Sequence, residues 1–439
     1  MSPWALAERL ATAIQRHRTG KVAEAAAIYR AILEESPNHV DSLHFLGVAE
    51  HQLGESDRAL QHLGTVLELV PDHPDAHINR GNVLKKLGRL VEAEADYRRA
   101  LDLRPGDANA LNNLGTVRRE RGDLEGALTT FREAIALQAN HATAWQNLGN
   151  TLGEMNRLHE ALDAHREAMQ LAPQSADSYR NLGRMLYAVG RIEEATDIYR
   201  QWLARFPGDP RARHFVASCT GQGVPGRASD DYVRAEFDEF APTFDDALAR
   251  LRYRAPELVA GEVARILGAT PANLDVLDAG CGTGLCGPLV RPRARSLVGV
   301  DLSPAMIELA RRRSVYDALV VEELTAYLRG HAASFDLVVS ADTLVYFGDL
   351  GQVIPAAAKA LRPAGALVFT VEAALETDAP AGFRIHPHGR YSHTRGYLLD
   401  VLGQAGLVDA TVVETTLRME AEKWVDGYLA SGRLPAGLS

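Results

Sequence analysis

Through the first half of this 439-residue chain the same residues return at one fixed interval. Gly47, Gly81, Gly115, Gly149 and Gly183 stand 34 residues apart, and Ala25, Ala59, Ala93, Ala127, Ala161 and Ala195 keep the same step. Pro37, Pro71, Pro105, Pro173 and Pro207 follow it with a gap only at Ala139, as do Gly20, Gly54, Gly88, Gly122 and Gly190, with Asn156 in the missing place. A constant period of this length requires a stack of like supersecondary units. Within each unit, apolar residues at helical spacing lie on both sides of the middle glycine or asparagine, and the late proline stops the second helix. Each unit therefore reads as a helical hairpin, and the small recurring residues let its helices approach closely.

The stretch WQNLGNTLGEMNRLHEALDAHREAMQLAPQ from Trp145, with its W-x-x-L-G start, Ala161 and closing Pro173, resembles the tetratricopeptide repeat family. About six 34-residue units cover roughly residues 6 to 209, so an all-α solenoid is expected over residues 1–209. Such an array is a binding module, and no cluster of titratable groups in it reads as catalytic. Asn79, Asn113, Asn147 and Asn181 also recur at the period on the first helices. They form a candidate amide ladder for an extended peptide or protein partner; the alternative is that they satisfy local backbone groups.

Composition narrows the partners. Apolar residues make up 46% and charged residues 24%, the ordinary globular range. The net charge of -10 leaves no long basic face, so nucleic acid is not expected. The N-terminal apolar stretch is interrupted by Glu8 and Arg9, and no uncharged apolar run approaches membrane-spanning length. Three cysteines, Cys219, Cys281 and Cys286, form no C-x-x-C pair. A cytoplasmic location without disulfides or structural zinc is the expectation.

Gly, Pro and Ser crowd residues 207 to 231, which places a linker at 210–229 and a second domain at 230–439. That domain opens with a helical, aromatic-rich segment. Phe240 and Phe244 in it either pack into a core or lie across the mouth of a ligand site.

From residue 274 the pattern changes to short apolar runs, LDVLDAG, SLVGVDLS, ALVVEE, FDLVVSAD and ALVFTVE, separated by helical stretches. Buried parallel strands read this way, and the helices between them supply crossovers to a doubly wound α/β sheet. Ligands in such sheets bind beyond the carboxyl ends of the strands. The first run ends in DAGCGTG, where Gly280, Gly282 and Gly284 let the backbone turn sharply beside a ligand. A glycine loop alone is a weak signal, because dinucleotide-binding domains use a similar one. Asp278 just before it would repel a pyrophosphate and attract an ammonium, while Asp301 closes the second strand where a carboxylate can accept from two ribose hydroxyls. A nucleoside joined to an amino acid is S-adenosylmethionine.

With these motifs, the region from about 230 to 439 resembles the class I S-adenosylmethionine-dependent methyltransferases, and the whole chain resembles bacterial methyltransferases that carry tetratricopeptide repeats. The fold implied is a Rossmann-like domain behind the solenoid. By that resemblance Asp278, Gly280, Cys281, Gly282 and Gly284 would line the methionine part of the cofactor, and Asp301 with Leu302 the ribose. Met306 would pack on the adenine, with Glu323, or else its neighbour Glu322, and Leu324 near its amino group. Asp342 and Thr343 would edge the methyl donor and Tyr346 would face the acceptor. Cys281 shows no sign of an activated thiolate.

Methyl transfer needs chiefly a positioned acceptor and sometimes a base. FRIHPHGRYSHTRGYLL, residues 383–399, supplies candidates: His388 or His393 as general base, Arg384 or Arg390 as anchor for an acidic acceptor, and Tyr391 beside them. His386 and His388 lack a companion carboxylate, so no metal is expected. The final stretch reads as an antiparallel strand pair. The leading expectation is methyl transfer to a peptide, protein or carrier-bound acceptor recruited by the repeats. The alternatives are a small-molecule methyltransferase whose repeats dock a partner, and a cofactor-binding scaffold without turnover; the glycine spacing opposes a dehydrogenase.

Overall fold

The computed structural model describes residues 3–268, 273–420 and 423–436. The chain divides into two bodies, Met1–Arg191 and Ile192–Ser439.

The first body is a run of helices: α1 (Pro3–Arg18), α2 (Val22–Glu35), α3 (Val40–Gln52), α4 (Ser56–Leu69), α5 (Pro74–Lys86), α6 (Leu90–Leu103), α7 (Ala108–Glu120), α8 (Leu124–Leu137), α9 (Ala142–Glu154), α10 (Leu158–Leu171) and α11 (Ala176–Ala188). A capping residue starts successive first helices in one register: His39, His73, Asp107 and His141 each accept from the backbone amide three residues on. Asn156 takes the left-handed conformation, φ +58°, that glycines supply between the helices of the other hairpins. The mid-helix glycines permit close approach. A Cβ on Gly115 would lie 2.7 Å from the Phe131 ring, and one on Gly81 2.8 Å from Tyr97. At Gly149 the facing residue is His165, whose burial pushes its imidazole down to about 4, so it packs as a neutral ring.

This geometry separates two otherwise similar substitutions. Gly115→Ala is expected to cost about 1–3 kcal/mol through overpacking against Phe131. Gly64→Ala meets nothing within 4 Å and is expected to gain about 0.5–1 kcal/mol of helix stability. Denaturant melts of the two variants, followed by helical circular dichroism, check the opposite signs.

The second body begins with α12 (Ile192–Arg205), α13 (Pro210–Thr220), α14 (Asp230–Phe240), α15 (Phe244–Arg250) and α16 (Ala255–Leu267). It continues β1 (Leu274–Ala279), α17 (Gly287–Val290), β2 (Ala294–Asp301), α18 (Pro304–Arg312), β3 (Ala318–Val321), α19 (Leu324–Gly330), β4 (Phe335–Ser340), α20 (Val353–Ala360) and β5 (Leu361–Ala373). The chain closes with β6 (Phe383–Ile385), β7 (Tyr391–His393), α21 (Arg395–Gln404), β8 (Val408–Glu420) and β9 (Lys423–Arg433). The linker expected at 210–229 is corrected: Asp209 caps α13 across its first half, and Arg227 forms a β-bridge with Phe347 in its second.

Strand order is β3-β2-β1-β4-β5-β7-β6, with β9 beside β5 and β8 beside β9. The first five strands run parallel, and β9 joins β5 antiparallel, as does β8 its neighbour β9. Alternate residues divide between two core layers, Val276, Leu297 and Leu337 on one side and Leu277, Val300 and Val338 on the other. With both faces covered by apolar layers, the free carboxyl ends of β1, β2, β4 and β5 carry the polar chemistry.

Candidate active site

Each of those four strands has an acid within two residues of its end: Asp278, Asp301, Asp342 and Glu372. After β1 the chain turns through Gly280, Gly282 and Gly284, all at positive φ, and the amides of Gly280 and Cys281 both donate to the Val300 carbonyl, at 2.8 and 2.9 Å. The Thr343 hydroxyl donates to the Gly280 carbonyl at 2.9 Å and sits so near that a Cβ on Gly280 would fall 2.2 Å from it. Over Gly282, by contrast, only Phe244 comes as near as 4.0 Å. The loop is thus braced at one end and open at its middle.

Asp278 is 1% exposed and accepts the Tyr316 hydroxyl at 2.7 Å. Burial pushes its carboxyl up to about 7, against the Tyr316 hydrogen bond, and the charge of Asp301 adds to the rise. Asp301 accepts from the amides of Gly282 and Ser303, both at 2.9 Å, and burial raises its carboxyl too. Two carboxyl groups around an open glycine turn, one buried and one half-buried, suit an ammonium and a ribose diol and oppose a diphosphate; the residues present fit the amino acid and sugar of S-adenosylmethionine.

Met306 is 1% exposed on α18, Cys281 packs with Ile307 and Ala310, and Leu324 joins the main core. Leu302 and Asp301 are half-buried at the end of β2. Glu323 caps α19, accepting from Thr325 and Ala326, with Arg227 at 3.9 Å. Asp342, at φ +53°, accepts from Thr370 and pairs with Arg418 at 2.7 Å.

α14 and α15 cover this end of the sheet. Asp238 accepts from Ser303 at 2.5 Å, and Asp245 accepts from Thr283 at 2.5 Å. Phe237 meets Tyr346 edge-on at 5.2 Å between ring centres, and Phe244 meets Phe240 at 5.3 Å. Phe240 keeps 38% of its surface exposed. Acidic side chains pin the cover while aromatic ones line it.

Behind Tyr346 lies a buried ionic network. Arg418 pairs with Asp342 at 2.7 Å, with Glu420 at 2.6 Å and with Glu372. Arg390 pairs with Glu372 at 2.6 Å and with Glu420 at 2.7 Å. Burial alone would raise Glu372, yet Arg390 and Arg418 hold its carboxyl well below the usual range. His388 stands 3.7 Å from Glu372; burial and Arg390 push it down to about 3, which makes it a feeble base at neutral pH.

Two of the expected residues are corrected. His393 is 0% exposed with Nε2 3.0 Å from the Gly348 carbonyl, and Tyr391 is 0% exposed and donates to the Pro225 carbonyl at 2.7 Å. Both are enclosed packing residues, because β7 pairs with β5 and carries them inward. Arg384 lies at the surface, 3.5 Å from Asp378. The arginine expected as an anchor for an acidic acceptor, Arg390, is held instead by two carboxylates of the protein. In the first body the Asn79 amide lies 2.8 Å from His44, Asn113 donates to Asn82 at 3.1 Å and Asn147 to Asn112 at 2.9 Å, each bond joining successive repeats. Asn181 is half-buried on α11.

Sequence reasoning missed Glu372, Arg418, Glu420, Tyr316, Asp238 and Asp245. The first three had a signal: Glu372 ends a strand as Asp278 does, and Arg418 and Glu420 alternate on one face of β8.

A methyltransferase-domain family model matches residues 277–369, and tetratricopeptide-repeat models match 17–81, 72–140, 106–174 and 153–219. Methyltransferase-like protein 27 of Homo sapiens is 39% identical over 98 residues, 22% of this chain and 39% of that protein. Magnesium-protoporphyrin O-methyltransferase of Rhodobacter capsulatus is 32% identical over 142 residues, 29% of this chain and 60% of that protein. The chain thus spans from about two fifths to three fifths of the length of these relatives. The Pseudomonas aeruginosa pilF structure is 20% identical with a TM-score of 0.43, covering 48% of this chain and 97% of its own. The glycine turn, the parallel strands and the family matches agree: residues 277–369 match a methyltransferase domain, and the helical repeats before it match tetratricopeptide repeats.

Proposed function

We propose that the chain transfers a methyl group from S-adenosylmethionine to an acceptor held between α14 and the carboxyl ends of β4 and β5. The observation that carries this reading is the pair of carboxylates, buried Asp278 and half-buried Asp301, on either side of the open turn at Gly282. When bound, S-adenosylmethionine supplies an electrophilic methyl group on a sulfonium. Asp278, once ionised, faces its ammonium. Asp301 receives the ribose hydroxyls while the amides of Gly282 and Ser303 keep that carboxylate oriented. Phe237 and Phe244 exclude water from above, and Tyr346 borders the acceptor. In-line transfer then rests mainly on alignment.

The repeats recruit the acceptor as a peptide, protein or carrier-bound group. Asn79, Asn113 and Asn147 contribute by fixing successive repeats in register, so that the first helices present one continuous face. No described helix is long and apolar enough to cross a membrane; a cytoplasmic setting is part of the proposal.

The test is calorimetric titration of the full chain with S-adenosylhomocysteine. Micromolar affinity is expected, and Asp301→Asn is expected to weaken it about tenfold, since a charge-assisted hydrogen bond is replaced by a neutral one. No binding by the unaltered chain rejects the cofactor reading.

A further inference from the structure

The acceptor side of the site has an imbalance of charge. Asp342, Glu372 and Glu420 share two guanidinium groups, those of Arg390 and Arg418. All three nitrogens of Arg418 are engaged, and Arg390 uses Nε and Nη2 on the same acids. His388 is neutral near pH 7 and adds no positive charge. A fourth carboxylate comes from the cover: Glu236 on α14, next to the Phe237 ring that packs on Tyr346. Its Oε2 is enclosed and has no hydrogen-bond partner. The charges of Arg390, Glu236, Arg418 and Glu372 all bear on Tyr346, and α14 meets that residue through Phe237.

Four carboxyl groups face two guanidiniums here, and one carboxyl oxygen, Oε2 of Glu236, has no donor. An enclosed anionic oxygen is costly unless a donor or cation meets it. A carboxylate acceptor would add a fifth acidic group where, of the six guanidinium nitrogens, Nη1 of Arg390 alone is not bonded to these acids.

We infer that the acceptor subsite, bounded by Glu236, Tyr346 and the Glu372–Arg390–Arg418–Glu420 network, takes a primary amine presented as a cation, with Glu236 its anchoring group. This rests on the methyl-transfer reading and names its substrate class. For transfer, the ammonium gives one proton to a neighbouring carboxylate. The freed nitrogen lone pair forms the bond to the methyl carbon as the carbon–sulfur pair departs on sulfur, leaving a neutral thioether and a methylated ammonium.

The experiment uses two probes of one size, n-butylammonium and butyrate, titrated into the full chain by ligand-observed NMR with and without S-adenosylhomocysteine. Butylammonium is expected to bind at least tenfold more tightly than butyrate. Glu236→Gln, isosteric and uncharged, is expected to cut that preference at least fivefold while S-adenosylhomocysteine affinity stays unchanged. Butyrate binding as tightly as the amine, binding of neither probe, or a preference untouched by Glu236→Gln overturns the inference. The comparison of probes on the unaltered chain decides the charge question even if the variant does not fold. A chain that ignores S-adenosylhomocysteine yet binds the amine through Glu236 overturns the methyl-transfer reading and leaves the amine subsite standing.

Discussion

Arg418→Met is expected to lower the stability of the second body by about 3–5 kcal/mol, because it strands Asp342, Glu372 and Glu420 beside one remaining guanidinium. At about 2–4 °C per kcal/mol for a body of this size, the melting transition falls by roughly 6–20 °C. Arg254→Met, by contrast, removes one hydrogen bond to Thr416 at the surface and is expected to shift the transition little. A thermal melt monitored through Trp424, on the strand paired with β8, reads both. The contrast has a mechanistic point. Arg418 holds acids from β5, β8 and the turn after β4 in one place, so its loss opens the network beside Tyr346 as well as weakening the fold. Melts in which the two variants coincide would mean that the network contributes nothing to stability.

The same network shows how far a sequence can be read. The repeats were legible because a period of 34 residues imprints itself on many positions at once, and each glycine that touches Phe131 or Tyr97 marks the same helix crossing. The five parallel strands were legible because covering both faces makes them continuous apolar runs. Asp278 and Asp301 were legible because an acid at the end of such a run, beside alternating glycines, has few other uses. The linker was misread at Pro210, where crowded Gly and Pro suggested a break but Asp209 and the proline start a helix instead. The His393 and Tyr391 roles failed for a different reason. A polar cluster in sequence says nothing about which side chains turn inward, and β7, paired with both β5 and β6, buries Tyr391, Ser392 and His393 alike. Arg418 escaped notice because its partners lie 46 residues away on β5 and 76 residues away in the turn after β4.

Cofactor affinity is expected to fall with acidity, through Asp278. In the free chain burial holds this carboxyl at about 7, so near neutral pH it is close to half protonated. A bound ammonium favours the ionised form, so the complex has the lower pKa, and binding must expel the proton whenever Asp278 carries one. Affinity is therefore fully present above pH 7 and is lost as the pH falls through 7, approaching tenfold per unit while the complex stays ionised. Between pH 7.5 and 5.5 the dissociation constant of S-adenosylhomocysteine, which keeps the ammonium but lacks the sulfonium, should rise by roughly 25-fold. Tyr316→Phe removes the hydrogen bond that opposes the burial effect, so the loss of affinity should begin at higher pH. Asp278→Asn should bind weakly and with no dependence across this window. Titrations of the three proteins at half-unit intervals separate this carboxyl from every other group that changes charge near neutrality, since only a profile that moves with Tyr316 and vanishes with Asp278 places the proton on the acid at the end of β1.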